Sequence, residues 1–404
     1  MSGAWRAPSA LEIQLSEAKL RGDWAAYMDV LTTTRLYHGG EPVAFDTPYG
    51  DGHPFYVHWS TEIGAYCVAL FTPAMLPAPC PDYVYCSESL GWLADTPLER
   101  TAPWIAVNPG TPCEAYFPTG PESRALWRYH AERAPADAGG FRLRTLLVGG
   151  VDRGPVAHGL ACGALLCVQN GSYWNAMAWH GTGYPGERAR LERSWGITTR
   201  EKWREYQEAL LRGEMSSSAW EFVLDARRHI ARDFGGYADT DYWRRAVERV
   251  FRQRMAAVEL TPDGVTRVAD RSAAEIDAQV EGLKHLIGRI VRYEARFRAD
   301  GLLAEGRHVP SITAWDYGRA SKMARWGLGA RFCTLEEAES ATVRAGRVSQ
   351  ADYRSWEEFS AAYILGRCLH FDDEEFGDWY QEALRAHRIL TTEPGSPWKT
   401  LPFR

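Results

Sequence analysis

The sequence predicts an α+β fold, with a mixed N-terminal part followed by a mostly helical one. Three observations carry that expectation. Aromatic and β-branched runs of strand length, HPFYVHW, YCVALF and PWIAVNPG, fall within the first 110 residues. From residue 187 onward, apolar residues recur at three- and four-residue spacing almost without a break. Between the two stretches lies APADAGG, the most linker-like segment of the chain, which places a domain boundary near residue 135.

The elements follow in order. Ser9-Ala-Leu-Glu12 is a capping box that opens a helix with Leu11, Leu15 and Ala18 on one side. A second helix is expected from Asp23 to about Thr34, stopped by Gly39, Gly40 and Pro42. The strands at HPFYVHW and YCVALF come next, then a short helix from TPAML, and then PWIAVNPG, which ends in a turn at Pro109-Gly110. FRLRTLLVGG reads as one more strand. Thr198-Thr-Arg-Glu201, Ser218-Ala-Trp-Glu221, Ser272-Ala-Ala-Glu275 and Ser355-Trp-Glu-Glu358 are further capping boxes, each ahead of a helical pattern. The longest helix starts at the third of these and runs to Gly301, a span of about 40 Å.

Composition limits the functional classes. The 404 residues are 45% hydrophobic and 24% charged, which suits a packed globular chain. No apolar run is long enough for a bilayer span and no signal-like segment opens the chain, so a cytoplasmic protein is expected. Only five of the 46 basic residues are lysines, and residues 1–135 carry 15 acids against 8 bases. With a net charge of −6 there is no basic footprint for a phosphate backbone, so nucleic acid is not an expected partner. The arginine-rich helix YWRRAVERVFRQRM, residues 242–255, reads as a solvated face.

Eight cysteines form no CxxC pair and are expected as free buried thiols. His158, Cys162 and Cys167 fit no common zinc spacing, and FDDEEF (371–376) reads as a negatively charged helix start instead of a metal site. GTGYPG (181–186) lacks the strand that a dinucleotide loop requires, and reads as a turn before a helix. No GxSxG, HExxH or P-loop is present. Neither a metal nor a cofactor is implied.

Two resemblances to known families emerge. The order TRLY, FTPAML, ESLGWL and WIAVNPGTP, with Phe71, Thr72, Pro73, Asn108, Pro109 and Gly110 as its clearest marks, is similar to the N-terminal domain of the SseB family over residues 9–118. That resemblance implies an α+β binding or regulatory module and carries no catalytic residues. SWGITTREKW, AWDYGRASKMARWG, TLEEAE and SWEEFSAAYILGR resemble domain of unknown function 1266, of the YbeU and YbeR type, over residues 160–371. The matching positions are Trp195, Gly196, Ile197, Trp315, Asp316, Arg319, Trp356, Phe359, Tyr363, Gly366 and Arg367. The expected organisation is therefore an SseB-like domain over 1–135 and a helical domain over 136–404.

At 100° per residue, Trp315, Arg319, Lys322 and Trp326 share one face of a helix, and Asp316 lies on the adjacent one. One reading is an anion pocket with indole walls, in which Arg319 and Lys322 grip a carboxylate or phosphate. The preferred reading pairs Asp316 and Arg319 with other helices, as an ionic clamp inside an all-helical domain. The leading functional expectation is a non-catalytic interaction or regulatory protein with a protein partner, of secretion-associated or immunity type. The alternative is an enzyme or effector acting on an anionic small molecule or nucleotide, with Asp316 as acid/base and Arg319 and Arg367 as anion clamps. Oligomeric state is not legible in the sequence.

Overall fold

In the computed structural model, residues 5–46, 55–78, 80, 82–135, 141–178, 181–237, 239–256, 258–261, 264–267 and 272–404 are described. The fold is α+β, with small sheets near the N-terminus and helices over the rest. The chain runs α1 (Ala10–Arg21), α2 (Trp24–Thr32), β1 (Leu36–Gly40), α3 (Pro42–Asp46), β2 (Val57–Ser60), β3 (Ala65–Leu70), β4 (Val84–Glu88), α4 (Leu90–Asp95), β5 (Trp104–Val107), β6 (Ala115–Pro118) and α5 (Pro121–Arg133). It continues through α6 (Gly154–Cys162), α7 (Ala164–Gln169), α8 (Tyr184–Trp195), α9 (Arg200–Leu211), α10 (Ser218–Phe234), α11 (Thr240–Met255), β7 (Val258–Thr261), β8 (Gly264–Arg267), α12 (Ala273–Ala299), α13 (Thr313–Gly329), α14 (Leu335–Asp352), α15 (Trp356–Phe371), α16 (Asp378–Thr392) and α17 (Pro397–Thr400).

Four strands form a sheet in the order β2-β3-β5-β6, with β3 and β5 parallel and the other pairs antiparallel. Helices α1, α2, α4 and α5 cover it around Leu15, Tyr27, Leu31, Leu93, Ile105 and Trp127. Asn108 ends β5 in a left-handed turn (φ 49°), and its Oδ1 accepts from the Thr72 N–H at 2.8 Å, which ties the ends of β3 and β5 together. Phe71 bridges to Tyr37 through paired main-chain hydrogen bonds of 2.8 Å. That bridge joins the four-stranded sheet to a ladder the sequence reading did not foresee. β1 and β4 pair antiparallel, with His38 opposite Cys86 and Tyr37 opposite Ser87. Gly39 and Gly40, read as a helix stop, are in fact strand residues, and the phenol ring of Tyr83 lies where a Cβ on Gly39 would sit.

The helical part is built around α13. A helix that is buried on every side must sit at the centre of its bundle, and Ala314 through Gly318 and Ala320 through Gly327 are all buried. Helices α6, α7, α8, α9, α14 and α15 surround it. Gly327 lets the Trp203 indole come within 2.1 Å of where a Cβ would be, and that indole N–H donates to the Met323 carbonyl at 3.0 Å. On the outer side of the bundle, α12 lays Val280, Ile287, Ile290, Tyr293 and Phe297 into the core. Its N-terminus is the reciprocal Ser272/Glu275 capping box.

Several boundaries differ from expectation. FRLRTLLVGG is not a strand, and only an isolated bridge between Arg144 and Tyr173 remains of it. The N-caps of α9 and α10 are Thr199 and Ser217, one residue from those expected. FDDEEF closes α15 and forms the loop before α16, where Asp372 accepts hydrogen bonds from the Tyr293 hydroxyl and the Phe376 and Gly377 N–H groups.

Candidate functional site

The first part and the helical part meet along a seam stitched by main-chain and side-chain hydrogen bonds. The Leu147 N–H donates to the Pro8 carbonyl at 2.7 Å, the Ser87 hydroxyl to the Thr182 carbonyl at 2.6 Å, and the Tyr173 hydroxyl to Ser9 Oγ at 3.0 Å. The Tyr37 hydroxyl donates to the Gly181 carbonyl. Gly183 (φ 82°) pairs with Cys86 as an isolated bridge, and a Cβ there would stand 2.7 Å from the Tyr85 carbonyl oxygen, so only glycine fits. GTGYPG is thus a turn into α8 that also docks on the edge of β4.

Along this seam lies a cavity of about 350 Å³. Four cationic residues, Arg35, Arg144, Arg190 and Lys322, line it with Thr33, Tyr37, Ser89, Ser172 and Thr182, and its described lining contains no carboxylate. Each cation is steadied by something beside it. Arg35 approaches Glu88 at 3.8 Å, Arg190 approaches the fully buried Glu187 at 3.3 Å, and Arg144 donates to the Thr33 carbonyl at 3.0 Å. Glu187 in turn accepts from the Thr182 N–H at 2.6 Å, which fixes the turn at the rim. The Arg144 Nε–H is buried without a hydrogen-bond partner among the described residues, and burial pulls its guanidinium below the usual range.

Lys322 enters this cavity from α13, and its ammonium donates to Ser172 Oγ at 3.0 Å. Beneath it, Arg325 Nη1 donates to Cys167 Sγ at 3.1 Å, and Arg325 also donates to the Tyr173 carbonyl. Burial pulls Lys322 down to about 7, partly opposed by Cys167. Burial alone would push the Cys167 thiol up, but Lys322 and Arg325 outweigh it and hold the thiol below its ordinary value. Lys322 therefore rests on a buried thiol that it shares with Arg325, and the cavity wall adds three guanidinium groups, those of Arg35, Arg144 and Arg190, and a row of hydroxyls. Such an arrangement favours an anion, because a phosphate or carboxylate would balance charge already desolvated by the fold.

The residues singled out by the sequence are distributed otherwise. Asp316 is fully buried and accepts from the Met215 and Ser216 N–H groups at 3.1 Å, from Ser216 Oγ at 2.8 Å, and from Arg319. Arg319 lies on the Trp315 ring at 3.5 Å, with Trp195 beyond at 5.6 Å. Arg367 forms its own ion pair, with Glu382 at 3.3 Å, and stacks over Trp379. Tyr363 is buried with its hydroxyl unpartnered among the described residues, and Gly366 packs on Trp315 at a point where a Cβ would come within 2.8 Å of its side chain. Trp356 stacks on Trp398, and Trp326 faces Trp195. Of the charged and aromatic residues expected on the helical face, Lys322 alone lines the seam cavity, while Arg35 and Tyr37 of TRLY, Pro73 and Ser89 of ESLGWL line it from the first part. Pro109 follows Asn108 in the turn after β5, away from it.

His158, Cys162 and Cys167 stay apart as ligands: the His158 ring bonds the Phe403 carbonyl, and Cys162 donates to the His158 carbonyl. On α11, Arg244 and Arg252 are paired with Asp241, Glu248 and Asp277.

Residues 190–403 match the family described as Protein of unknown function (DUF1266). The chain belongs to this family. The matched DUF1266 region begins at Arg190, itself a wall of the cavity, and includes Lys322, while Arg35 and Arg144 precede it. No curated protein and no solved structure matches the chain. No helix among the described residues is long and apolar enough to cross a membrane.

Proposed function

We propose that this protein is a non-catalytic binding and regulatory protein, and that the seam cavity takes a small anion bearing a phosphate or carboxylate. The observation that carries this reading is the convergence of Arg35, Arg144, Arg190 and Lys322 on one cavity without a carboxylate in its described lining. The volume is at the small end of the range for ligand pockets. Because the four cations come from both parts of the chain, an anion held between them would clamp the parts together, and a bound metabolite would set how a protein partner meets the surface around the seam. The organisation into an SseB-like domain over 1–135 and a helical domain over 136–404 belongs to the same proposal. It is supported by the three larger hydrophobic clusters, each confined to one side of residue 140, with only the small Phe45, Val84 and Tyr184 cluster crossing it among the described residues. Cytoplasmic location and a protein partner are part of it too. Asp316, Arg319 and Arg367 serve here as packing and loop-fixing groups.

The test is calorimetric and thermal titration of the full chain with inorganic phosphate, sulfate and a nucleoside triphosphate. Arg190→Gln and Lys322→Met are expected to lose anion binding by roughly 10-fold or more each, the size of one charge-assisted hydrogen bond, while staying folded. Wild-type protein that neither binds nor is stabilised by any of these anions would exclude the reading.

A further inference from the structure

The β1–β4 ladder has a second face, and the geometry points to a zinc site on it formed by His38, Cys86 and Glu88. His38 and Cys86 are directly opposed across the antiparallel pair, and Glu88 lies two residues along the same strand, so the three side chains share one face. One donor atom from each lies within 4.8 Å of the others. That is wider than the roughly 3.5 Å between ligands of a tetrahedral zinc with bonds near 2.0–2.3 Å, a gap that small side-chain rotations close. Cys86 already donates its S–H to Glu88 Oε1 at 3.4 Å.

The donor set selects the metal. An imidazole nitrogen, a thiolate and one carboxylate suit a borderline ion such as Zn²⁺ and do not suit Ca²⁺ or Mg²⁺, which take oxygen. Charge points the same way. The His38 ring lies 4.5 Å from Phe55 and 6.1 Å from Phe45, and Cys86 packs on the Phe45, Val84 and Tyr184 cluster. In that apolar setting a dication with one thiolate and one carboxylate is neutral, and binding releases the Cys86 proton to solvent. Among the described residues, Arg35, 3.8 Å from Glu88, is the one cation in ion-pair contact with a member of the set, and its half-exposed side chain also bonds Ser87. Cys86 and Glu88 are only partly buried, which leaves the fourth coordination position open to water.

The experiment uses the full chain, stripped with a chelator and titrated with Co²⁺ and then Zn²⁺. One equivalent of Co²⁺ is expected to give a thiolate-to-cobalt charge-transfer band that Zn²⁺ abolishes. Cys86→Ser should remove the band, Glu88→Gln should weaken binding at least about 10-fold, and Cys80→Ser, at an exposed cysteine, should leave both unchanged. Glu88→Gln keeps the size of a partly exposed side chain, so E88Q gives a folded readout even where C86S does not. Absence of the band in wild-type protein, its persistence in folded C86S, unweakened binding in E88Q or its loss in C80S would each overturn the assignment.

Discussion

Two buried charge clusters of the helical part make opposite use of the same ingredients. In the first, Arg227 of α10 meets Glu294 of α12 through two bonds of 2.7 and 2.9 Å, and the Val309 N–H, the His308 ring and the Val309 carbonyl complete both heads. Burial alone would raise the Glu294 carboxyl, yet Arg227, His308 and that N–H hold it down at about 2. In the second, Lys322 and Arg325 share Cys167 Sγ as an acceptor, and Lys322 lines an open cavity. A closed pair with every lone pair used fixes packing. A buried cation facing a cavity leaves a place for an anion from outside.

The largest expected effect is on the closed pair. Arg227→Ala leaves Glu294 buried without its main partner and should cost about 3–5 kcal/mol in urea unfolding. Asp316→Asn is expected to follow at about 2–3 kcal/mol, since the neutral amide keeps one acceptor oxygen for the Ser216 loop while Arg319 loses its countercharge. A stability within about 0.5 kcal/mol of wild type would show that this clamp is not holding the fold. Lys322→Met should break the comparison in the other direction. Removing a desolvated ammonium leaves the melting temperature unchanged or raised, while sulfate affinity falls; a strongly destabilised variant would mean that Lys322 belongs to the closed class.

The pH responses separate the two clusters as well. Glu294 is depressed from 4.5 to about 2, so its stabilising contribution is full above the ordinary carboxylate value and is lost as pH falls through that window. Lys322 is depressed from 10.5 to about 7, so the ammonium is present below that value and lost above it. Sulfate does not titrate there, and its affinity should weaken as pH rises through about 7. Flat binding across that range, measured by calorimetry, would remove Lys322 from the site.

Much of the fold was legible because it is written in local chemistry. The Ser272 and Ser355 caps, the strand WIAV and the full length of α12 follow from hydroxyls, carboxylates and apolar spacing within a few residues. The ladder of β1 and β4 was not, because Gly39-Gly40 carries a stop signal that tertiary pairing overrides. The site was legible only in part for a related reason. Lys322 stood out on its helix face, but Arg35 lies just ahead of β1, Arg144 in an irregular segment and Arg190 in an ordinary arginine-rich helix. Nothing local marks them in a chain where most basic residues are arginine. Their convergence is a property of long-range packing.

The burial of α13 on every side has a consequence for how the protein opens. A helix with no solvent face cannot fray by itself, because its amides are reached only when the helices around it separate. Its N–H groups should exchange with deuterium at the rate of whole-bundle unfolding, while those of α11, with only Trp243 and Val247 buried, exchange through smaller, cheaper excursions. The helix that carries Lys322 is thereby, with the equally enclosed α15, among the slowest clocks in the molecule, and an anion at the seam would be felt there as a slower tick.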